Sequence, residues 1–336
     1  MKNRFVFFDS TPTDRRYFTQ HLAAFNAELS FYQEPLTEQN IELARDASVI
    51  SVHVPSKITA ALLHSLPQVK FIAARTTGYD NIDVQAAKHA NIIVSNVPRY
   101  GENTVAEYTF MLLLALSRKI VPSIEQGKSG NIDHTTLTGF DLNGKTLGVI
   151  GTGSIGQHVI KIANGFSMPV IAYDPFPNAE LENNYNLRYA SLQDLYATAD
   201  IITLHAPYTG ENKHLINSQA FAKMKKGAVL INTSRGELID TKALVAVLAS
   251  GKLGGAGLDV IEGENLLSLD EETELLLQPK KRGFDCAIEQ MLLEKMPNVI
   301  ITPHNAFNTT EALLRINTTT LENISNFFKQ MPTNTV

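Results

Sequence analysis

A glycine pattern in mid-chain limits what this sequence can fold into more than any other feature. The apolar run Leu147-Gly148-Val149-Ile150 leads directly into Gly151-Thr152-Gly153-Ser154-Ile155-Gly156. A glycine-rich turn alone is common, so its surroundings decide its meaning. Here the preceding run reads as a buried strand, and Ile155, Val159 and Ile162 recur at helical spacing after it. Gly151 then permits a tight turn, Gly153 lets backbone approach a pyrophosphate, and Gly156 allows close helix packing, with Ser154 and Ile155 opening the helix. The helix N-terminus offers unpaired N–H groups and the positive end of its dipole to phosphate. A second strand at 170–173 ends in Asp174. That carboxylate can accept hydrogen bonds from both ribose hydroxyls and would repel a 2′-phosphate, and Pro175-Phe176-Pro177 offers no arginine to hold one. The expected cofactor is NAD, not NADP.

The rest of the chain suits a folded enzyme. Its 336 residues are enough for two domains, and 44% hydrophobic with 19% charged residues is ordinary for a globular protein. A net charge of -5 gives no electrostatic reason to bind nucleic acid or an anionic membrane. The apolar run at 5–8 stops at Asp9, too short for a signal peptide, and the stretch at 110–116 is too short to span a bilayer. One cysteine, Cys286, cannot form an internal disulfide and has no metal-ligand spacing around it. A reduced cytoplasmic protein without a metal is expected.

Strand-like runs at 4–9, 48–54, 70–74 and 92–96, separated by helix-like stretches, describe a first α/β unit. Residues 102–119 read as a helix with Thr104 and Glu107 placed as a capping box. Its apolar density fits burial between domains, against a second subunit, or as an ordinary core helix. A second series has strands at 146–150, 170–173, 201–204, 228–232, 257–260 and 299–302, with crossover helices as a parallel sheet requires. A helix is expected from 305 to about 330. The segment 264–297, rich in Leu and charge, reads as a partly helical surface insertion, and Lys280-Lys281-Arg282 as a solvated face.

In an open parallel sheet, ligands bind beyond the carboxyl ends of the strands. The residues delivered there are His205, Ala206 and Pro207; then Thr233, Ser234 and Arg235; then Asp259, with Glu262 and Glu264 shortly after; and finally His304. An arginine fork can grip a carboxylate and polarise the adjacent carbonyl. A histidine can give a proton to the carbonyl oxygen, and a carboxylate beside it favours its charged form. Such a trio suits interconversion of 2-oxo and 2-hydroxy acids, with either glutamate as the carboxylate.

With these motifs in view, the sequence resembles the D-isomer-specific 2-hydroxyacid dehydrogenases, most closely their D-lactate branch. The carriers are Gly148 to Gln157, Leu204-His205-Ala206-Pro207, Asn232-Thr233-Ser234-Arg235-Gly236, Leu258-Asp259-Val260 through Glu264, and Thr302-Pro303-His304-Asn305-Ala306-Phe307. The resemblance implies Arg235 as substrate-binding arginine, His304 as acid/base and Glu264, rather than Glu262, as the glutamate supporting it. It implies Asp259 near the nicotinamide carboxamide, His205, Pro207 and Thr233 along the cofactor, and Thr77-Gly78-Tyr79 as a loop whose N–H groups hold the substrate carboxylate. Tyr100 falls at a substrate-pocket position. So does His53, where lactate-type relatives often carry an aromatic, which leaves pyruvate and bulkier 2-oxo acids both open. The implied fold is two Rossmann-like or flavodoxin-like α/β domains with parallel sheets and an active site in the interdomain cleft. Residues 1–100 and 301–336 would form a discontinuous substrate domain and 101–300 the NAD domain, in a homodimer. A non-catalytic NAD-sensing protein of the same fold is the alternative from another class.

Overall fold

The computed structural model describes residues 3–130, 132–263 and 284–336, the side chains of 284–286 excepted. The chain divides into two compact units, Met1–Tyr100 with Thr309–Val336, and Gly101–Asn308. Each is built on a parallel sheet, of five strands in the first unit and seven in the second.

In the first unit β1 (Arg4–Phe7), β2 (Glu28–Phe31), β3 (Val49–Val52), β4 (Phe71–Ala74) and β5 (Ile93–Ser95) lie in the order β2-β1-β3-β4-β5. Alternation along β1 sends Val6 to one face and Phe5 and Phe7 to the other. Phe5 and Phe7 pack with Phe18 of the helix Pro12–His21 and Ile324 of the helix Thr310–Phe328. Phe7 stacks on Phe18 and Phe71 on Phe327, each pair with ring centroids 4.6 Å apart. Val6 packs with Leu62, Leu63 and Ala87 from two short helices on the opposite face.

The second sheet comprises β6 (Leu147–Ile150), β7 (Val170–Tyr173), β8 (Leu187–Tyr189), β9 (Ile201–Leu204), β10 (Ala228–Asn232), β11 (Leu253–Leu258) and β12 (Val299–Ile301), in the order β12-β11-β10-β9-β6-β7-β8. β6 pairs with β7 on one side and β9 on the other. The chain therefore runs outward from β6 through β8 and then returns to build the other half. The connections after β6 and β9 leave in opposite directions and open a crevice at the carboxyl edge, where doubly wound sheets take their ligands. Val149 packs with Val159 and Ile160 of the helix Ser154–Gly165 and Leu112 and Leu113 of the helix Glu102–Ser117. Ile202, Leu204 and Leu230 share the other core, with Leu195, Phe221, Leu244 and Leu293.

Several expectations change. Two strands, β2 and β8, were not legible. The helix from Glu102 has Gly101 as its N-cap with no side-chain capping bond, and Thr104 is buried inside its first turns, so the Thr104–Glu107 box does not form. The chain returns to the first unit at Thr309, not at 301. The reason is local: β12 pairs with β11, and the turn after it is bonded to Asp259. The last helix accordingly starts at Thr310, with Thr309 capping Ala312 N–H at 3.2 Å. Within the expected surface insertion, the helix Phe284–Glu294 buries Ala287 and Leu293, and Leu293 joins a core cluster. Lys280, Lys281 and Arg282 lie outside the described residues, as does Glu264.

Candidate active site

The glycine turn and the strands beside it form the candidate cofactor end. Gly151 has φ of +93°, a region L side chains rarely adopt, and a Cβ there would meet His205 carbonyl carbon and Ala206 N at 2.6 Å. A Cβ on Gly156 would collide with the Gly151 carbonyl, so the helix can start this close to the turn only with glycine. Above Gly153 the space is open, with no heavy atom within 4 Å of where a Cβ would lie. The helix Ser154–Gly165 has no side-chain cap, and a pyrophosphate can take the place a capping group would fill. At the tip of β7, Asp174 Oδ2 accepts Thr152 N–H at 2.7 Å and Oδ1 accepts Phe176 N–H at 2.9 Å. Thr152 Oγ1 also donates to Oδ2 at 3.1 Å, so the carboxylate is held at the strand end with a lone pair on Oδ1 left for a hydroxyl. These residues fit an NAD dinucleotide.

His205 donates its backbone N–H to Ile150 O at 2.7 Å, so the strand end after β9 buttresses the glycine turn. Its ring Nε2 lies 2.9 Å from Thr203 Oγ1, and burial pushes its pKa down to about 3. Burial thus favours the neutral imidazole at physiological pH. Pro207 O accepts from Asn212 Nδ2 at 2.7 Å, which folds the following loop back on itself.

Beyond β10, the fully buried Asn232 shapes the turn that carries Arg235. Its Nδ2 donates to Arg235 O at 2.8 Å and its Oδ1 accepts Ser234 N–H at 3.0 Å. Arg235 leaves this turn with extended backbone, its Nη1 donating to Ser234 O at 2.8 Å. Thr233 Oγ1 lies 3.0 Å from Thr109 Oγ1 on the helix Glu102–Ser117.

His304 is placed by Asp259. The Asp259 carboxylate accepts from Thr302 Oγ1 at 2.6 Å, Asn305 N–H at 2.8 Å and Ala306 N–H at 2.8 Å, and its carbonyl accepts His304 N–H at 3.0 Å. His304 sits in the left-handed region with φ of +50°. Such a conformation costs on the order of 1 kcal/mol or more and persists where neighbours over-determine it, as Asp259 does here. Burial raises the Asp259 pKa, against the lowering pull of these bonds and of His304. Of the two glutamates, Glu262 is engaged elsewhere: its carboxylate meets His214 Nε2 at 2.9 Å and Lys213 Nζ at 2.9 Å.

In the first unit, Thr77 Oγ1 donates to Val97 O at 2.9 Å and Asn96 Nδ2 to Thr77 O at 2.7 Å, while Tyr79 O accepts Ile82 N–H at 2.9 Å. Thr76 Oγ1 donates to Gly78 O and fixes the bend between them. Tyr79 is 40% exposed. Tyr100 O accepts from Arg315 Nε at 2.6 Å. The loop containing His53 is clamped twice, by Asp9 Oδ2 on His53 N–H at 2.9 Å and by Asn81 Nδ2 on His53 O at 2.9 Å. Below these loops lies Arg75, 1% exposed, with Nη1 on Ser51 Oγ at 2.9 Å and Nη2 on Asp9 O at 2.9 Å. Burial lowers its pKa, opposed by Asp14 and Asp9. Arg75 is not marked by any sequence motif, and Asn232 only as part of the motif that carries Arg235. A strand followed by an arginine or an Asx-turn residue was the available signal, and neither reveals burial. Among the described residues no cluster of three or more His, Cys, Asp or Glu could hold a metal, and no helix is long and apolar enough to cross a membrane.

Comparison with known proteins accords with this geometry. Residues 110–306 match the family described as D-isomer specific 2-hydroxyacid dehydrogenase, NAD binding domain. The chain is 37% identical to the D-lactate dehydrogenase of Escherichia coli K12 over 94% of each protein. It is 43% identical to the aromatic 2-oxoacid reductase of Clostridium sporogenes over 77% of this chain and 76% of that one. The crystal structure of the Aquifex aeolicus D-lactate dehydrogenase complexed with NAD and lactic acid superposes with a TM-score of 0.87 at 35% identity, covering 97% of this chain and 96% of that one.

Proposed function

The chain belongs to the D-isomer specific 2-hydroxyacid dehydrogenases, NAD-dependent oxidoreductases acting on the CH–OH group, and on that premise we propose that it interconverts pyruvate and D-lactate. The observation that carries this reading is the pair of ordered strand-end turns, one presenting Arg235 through Asn232 and the other His304 through Asp259, on the sheet that bears the glycine loop. NAD, when bound, supplies and accepts the hydride. The Arg235 guanidinium grips the substrate carboxylate and draws electron density from the adjacent carbonyl. The His304 imidazolium donates a proton to the carbonyl oxygen during reduction and takes it back during oxidation. Glu264 is the glutamate that supports His304. Thr77, Gly78 and Tyr79 hold the substrate carboxylate by backbone N–H groups, and Tyr100 borders the substrate. Gly151, Gly153, Ser154, Ile155, Gly156 and Asp174 hold the dinucleotide, with His205, Pro207, Thr233 and Asp259 along it.

Bulkier 2-oxo acids are a second reading, favoured by the identity with an aromatic 2-oxoacid reductase. NADH oxidation with pyruvate, 2-oxobutyrate, 2-oxoisocaproate and phenylpyruvate separates the two. The highest kcat/KM on pyruvate supports the first reading, and on phenylpyruvate or 2-oxoisocaproate the second. Tight NAD binding with no turnover on any of these would favour an NAD sensor.

A homodimer and a cytosolic location complete the proposal. Met111 and Leu114 on one helix and Ile120, Val121 and Ile124 on the next are 37–49% exposed, an apolar stripe that suits a second copy. Light scattering of the chain and of Ile124→Arg tests this: a dimer that becomes monomeric is expected, and a monomeric parent chain contradicts it. Fractionation of the producing cells tests the location.

A further inference from the structure

We infer that Tyr189 on the edge strand β8 and Thr152 inside the glycine loop form a hydrogen-bond relay that fixes the Asp174 carboxylate and sets the preference for NAD over NADP. The inference rests on Asp174 being the ribose-recognising acid.

The direction of every proton in the relay follows from chemistry. Asn178 N–H lies 3.1 Å from Tyr189 Oη, and a backbone N–H can only donate. At the other end, Thr152 Oγ1 lies 3.1 Å from Asp174 Oδ2, and an ionised carboxylate can only accept. Thr152 therefore spends its one proton on Asp174. The 2.9 Å contact between Thr152 Oγ1 and Tyr189 Oη must then be a donation from Tyr189. The chain runs Asn178 N–H to Tyr189 Oη to Thr152 Oγ1 to Asp174 Oδ2, each bond polarising the next.

Together with Thr152 N–H on the same oxygen and Phe176 N–H on the other, the relay gives the carboxylate three intramolecular donors. It cannot rotate without breaking bonds to two separate loops. Its remaining lone pair, on Oδ1, stays in place to accept a ribose hydroxyl. A 2′-phosphate would require the carboxylate to turn aside, and the relay opposes that movement. Thr152 is 4% exposed, so its hydroxyl has little water to replace a lost partner. The edge strand β8, peripheral by topology, thus acts on cofactor choice through the one hydroxyl at its end.

The test measures NADH and NADPH dissociation constants by titration, with steady-state kinetics, for Tyr189→Phe, Thr152→Val, Thr152→Ser and Asp174→Asn in the full chain. Tyr189→Phe keeps the ring packing and removes only the hydroxyl. Tyr189→Phe and Thr152→Val are expected to raise the NADH Kd about threefold to tenfold, the effect of one lost buried hydrogen bond. NADPH binding should be unchanged or tighter, kcat at saturating NADH should hold, and Thr152→Ser should restore the parent behaviour. The Tyr189→Phe/Thr152→Val double variant should be no worse than Thr152→Val, because the two act in series. If Asp174→Asn collapses the NADH preference while Tyr189→Phe leaves it within about twofold of the parent, a change smaller than one lost hydrogen bond gives, the relay is idle and the inference falls. If Asp174→Asn leaves the preference unchanged, the assignment of Asp174 itself falls, and the inference with it.

Discussion

Replacing Asp259 by asparagine separates two roles that the same carboxylate can play. In the structure both its oxygens are engaged by the turn carrying His304: Oδ1 by Thr302 Oγ1 and Asn305 N–H, Oδ2 by Ala306 N–H. An asparagine side chain oriented to keep the first two bonds turns its NH2 toward Ala306 N–H and sets donor against donor. One unsatisfied buried donor costs about 1–3 kcal/mol. Against this, removing a charge relieves the burial penalty, which is the largest influence on the Asp259 pKa and raises it. The two effects are of similar size, so stability should change by no more than about 1 kcal/mol. The placement of His304 has no such offset. Its left-handed backbone depends on this turn, and a displacement near 1 Å at a reacting group costs on the order of 100-fold in rate. Asp259→Asn should therefore lower kcat about 10- to 100-fold, with the NADH KM within about threefold of the parent. Urea denaturation and steady-state NADH oxidation read these quantities. A variant with unchanged kcat and a NADH KM raised about tenfold or more, the loss of one charged hydrogen bond, would show that Asp259 acts on the cofactor and would refute the turn argument. The pH dependence adds a check. Because the native pKa is raised, the Asp259 contribution to stability is full below the ordinary carboxylate value and lost as pH rises through the native one, and the Asp259→Asn substitution abolishes this dependence.

His205 supplies the opposite sign. Its native pKa near 3 lies below the ordinary value of 6.5, so its stabilising contribution is full above 6.5 and lost as pH falls toward 3. His205→Gln should remove up to about 1.4 kcal/mol per pH unit of acid sensitivity in that window, read by denaturant titration from about pH 7 to about pH 4.5; identical slopes in both proteins would contradict the buried neutral imidazole. Glu262→Gln should cost less than about 1 kcal/mol and leave kcat within about threefold, since its partners His214 and Lys213 are partly exposed. Glu264→Gln should lower kcat by about 100-fold or more. The reverse ranking would exchange the roles of the two glutamates. Arg235→Lys, which loses the planar fork, should raise the pyruvate KM and lower kcat/KM by about 100-fold or more; unchanged kcat/KM would remove Arg235 from substrate recognition.

Legibility followed local signal strength. β7, β9 and β10 were read to the residue because each is a compact β-branched or apolar run beside turn chemistry. β8 has three residues, Leu-Arg-Tyr, too few to show a period, and β2 is an edge strand with no fully buried position. β11, Leu-Gly-Gly-Ala-Gly-Leu, was expected at 257–260 but runs from Leu253 to Leu258; its first four residues were hidden because glycine carries no strand preference. Its glycines are there for neighbours: a Cβ on Gly257 would lie 2.9 Å from Ile231 Cδ1. At the proposed site, the positions given a chemical role were legible as strand ends. Of the groups that position them, Asp259 and Asn232 stood in sequence motifs without a positioning role, which only the contacts reveal. Asn232 beneath Arg235, Tyr189 behind Asp174 and Arg75 beneath the first unit's loops act through tertiary contacts that spacing does not encode.

The central claim is a stereospecific, NADH-dependent reduction in which His304 delivers the proton, and one measurement reaches it most directly. Pyruvate is incubated with NADH and either the parent chain or His304→Ala, and the lactate formed is resolved by enantiomer. D-lactate is expected from the parent, with a rate lowered by about 100- to 10,000-fold in the variant, the range for loss of a general acid. L-lactate, or an undiminished rate from His304→Ala, would contradict it.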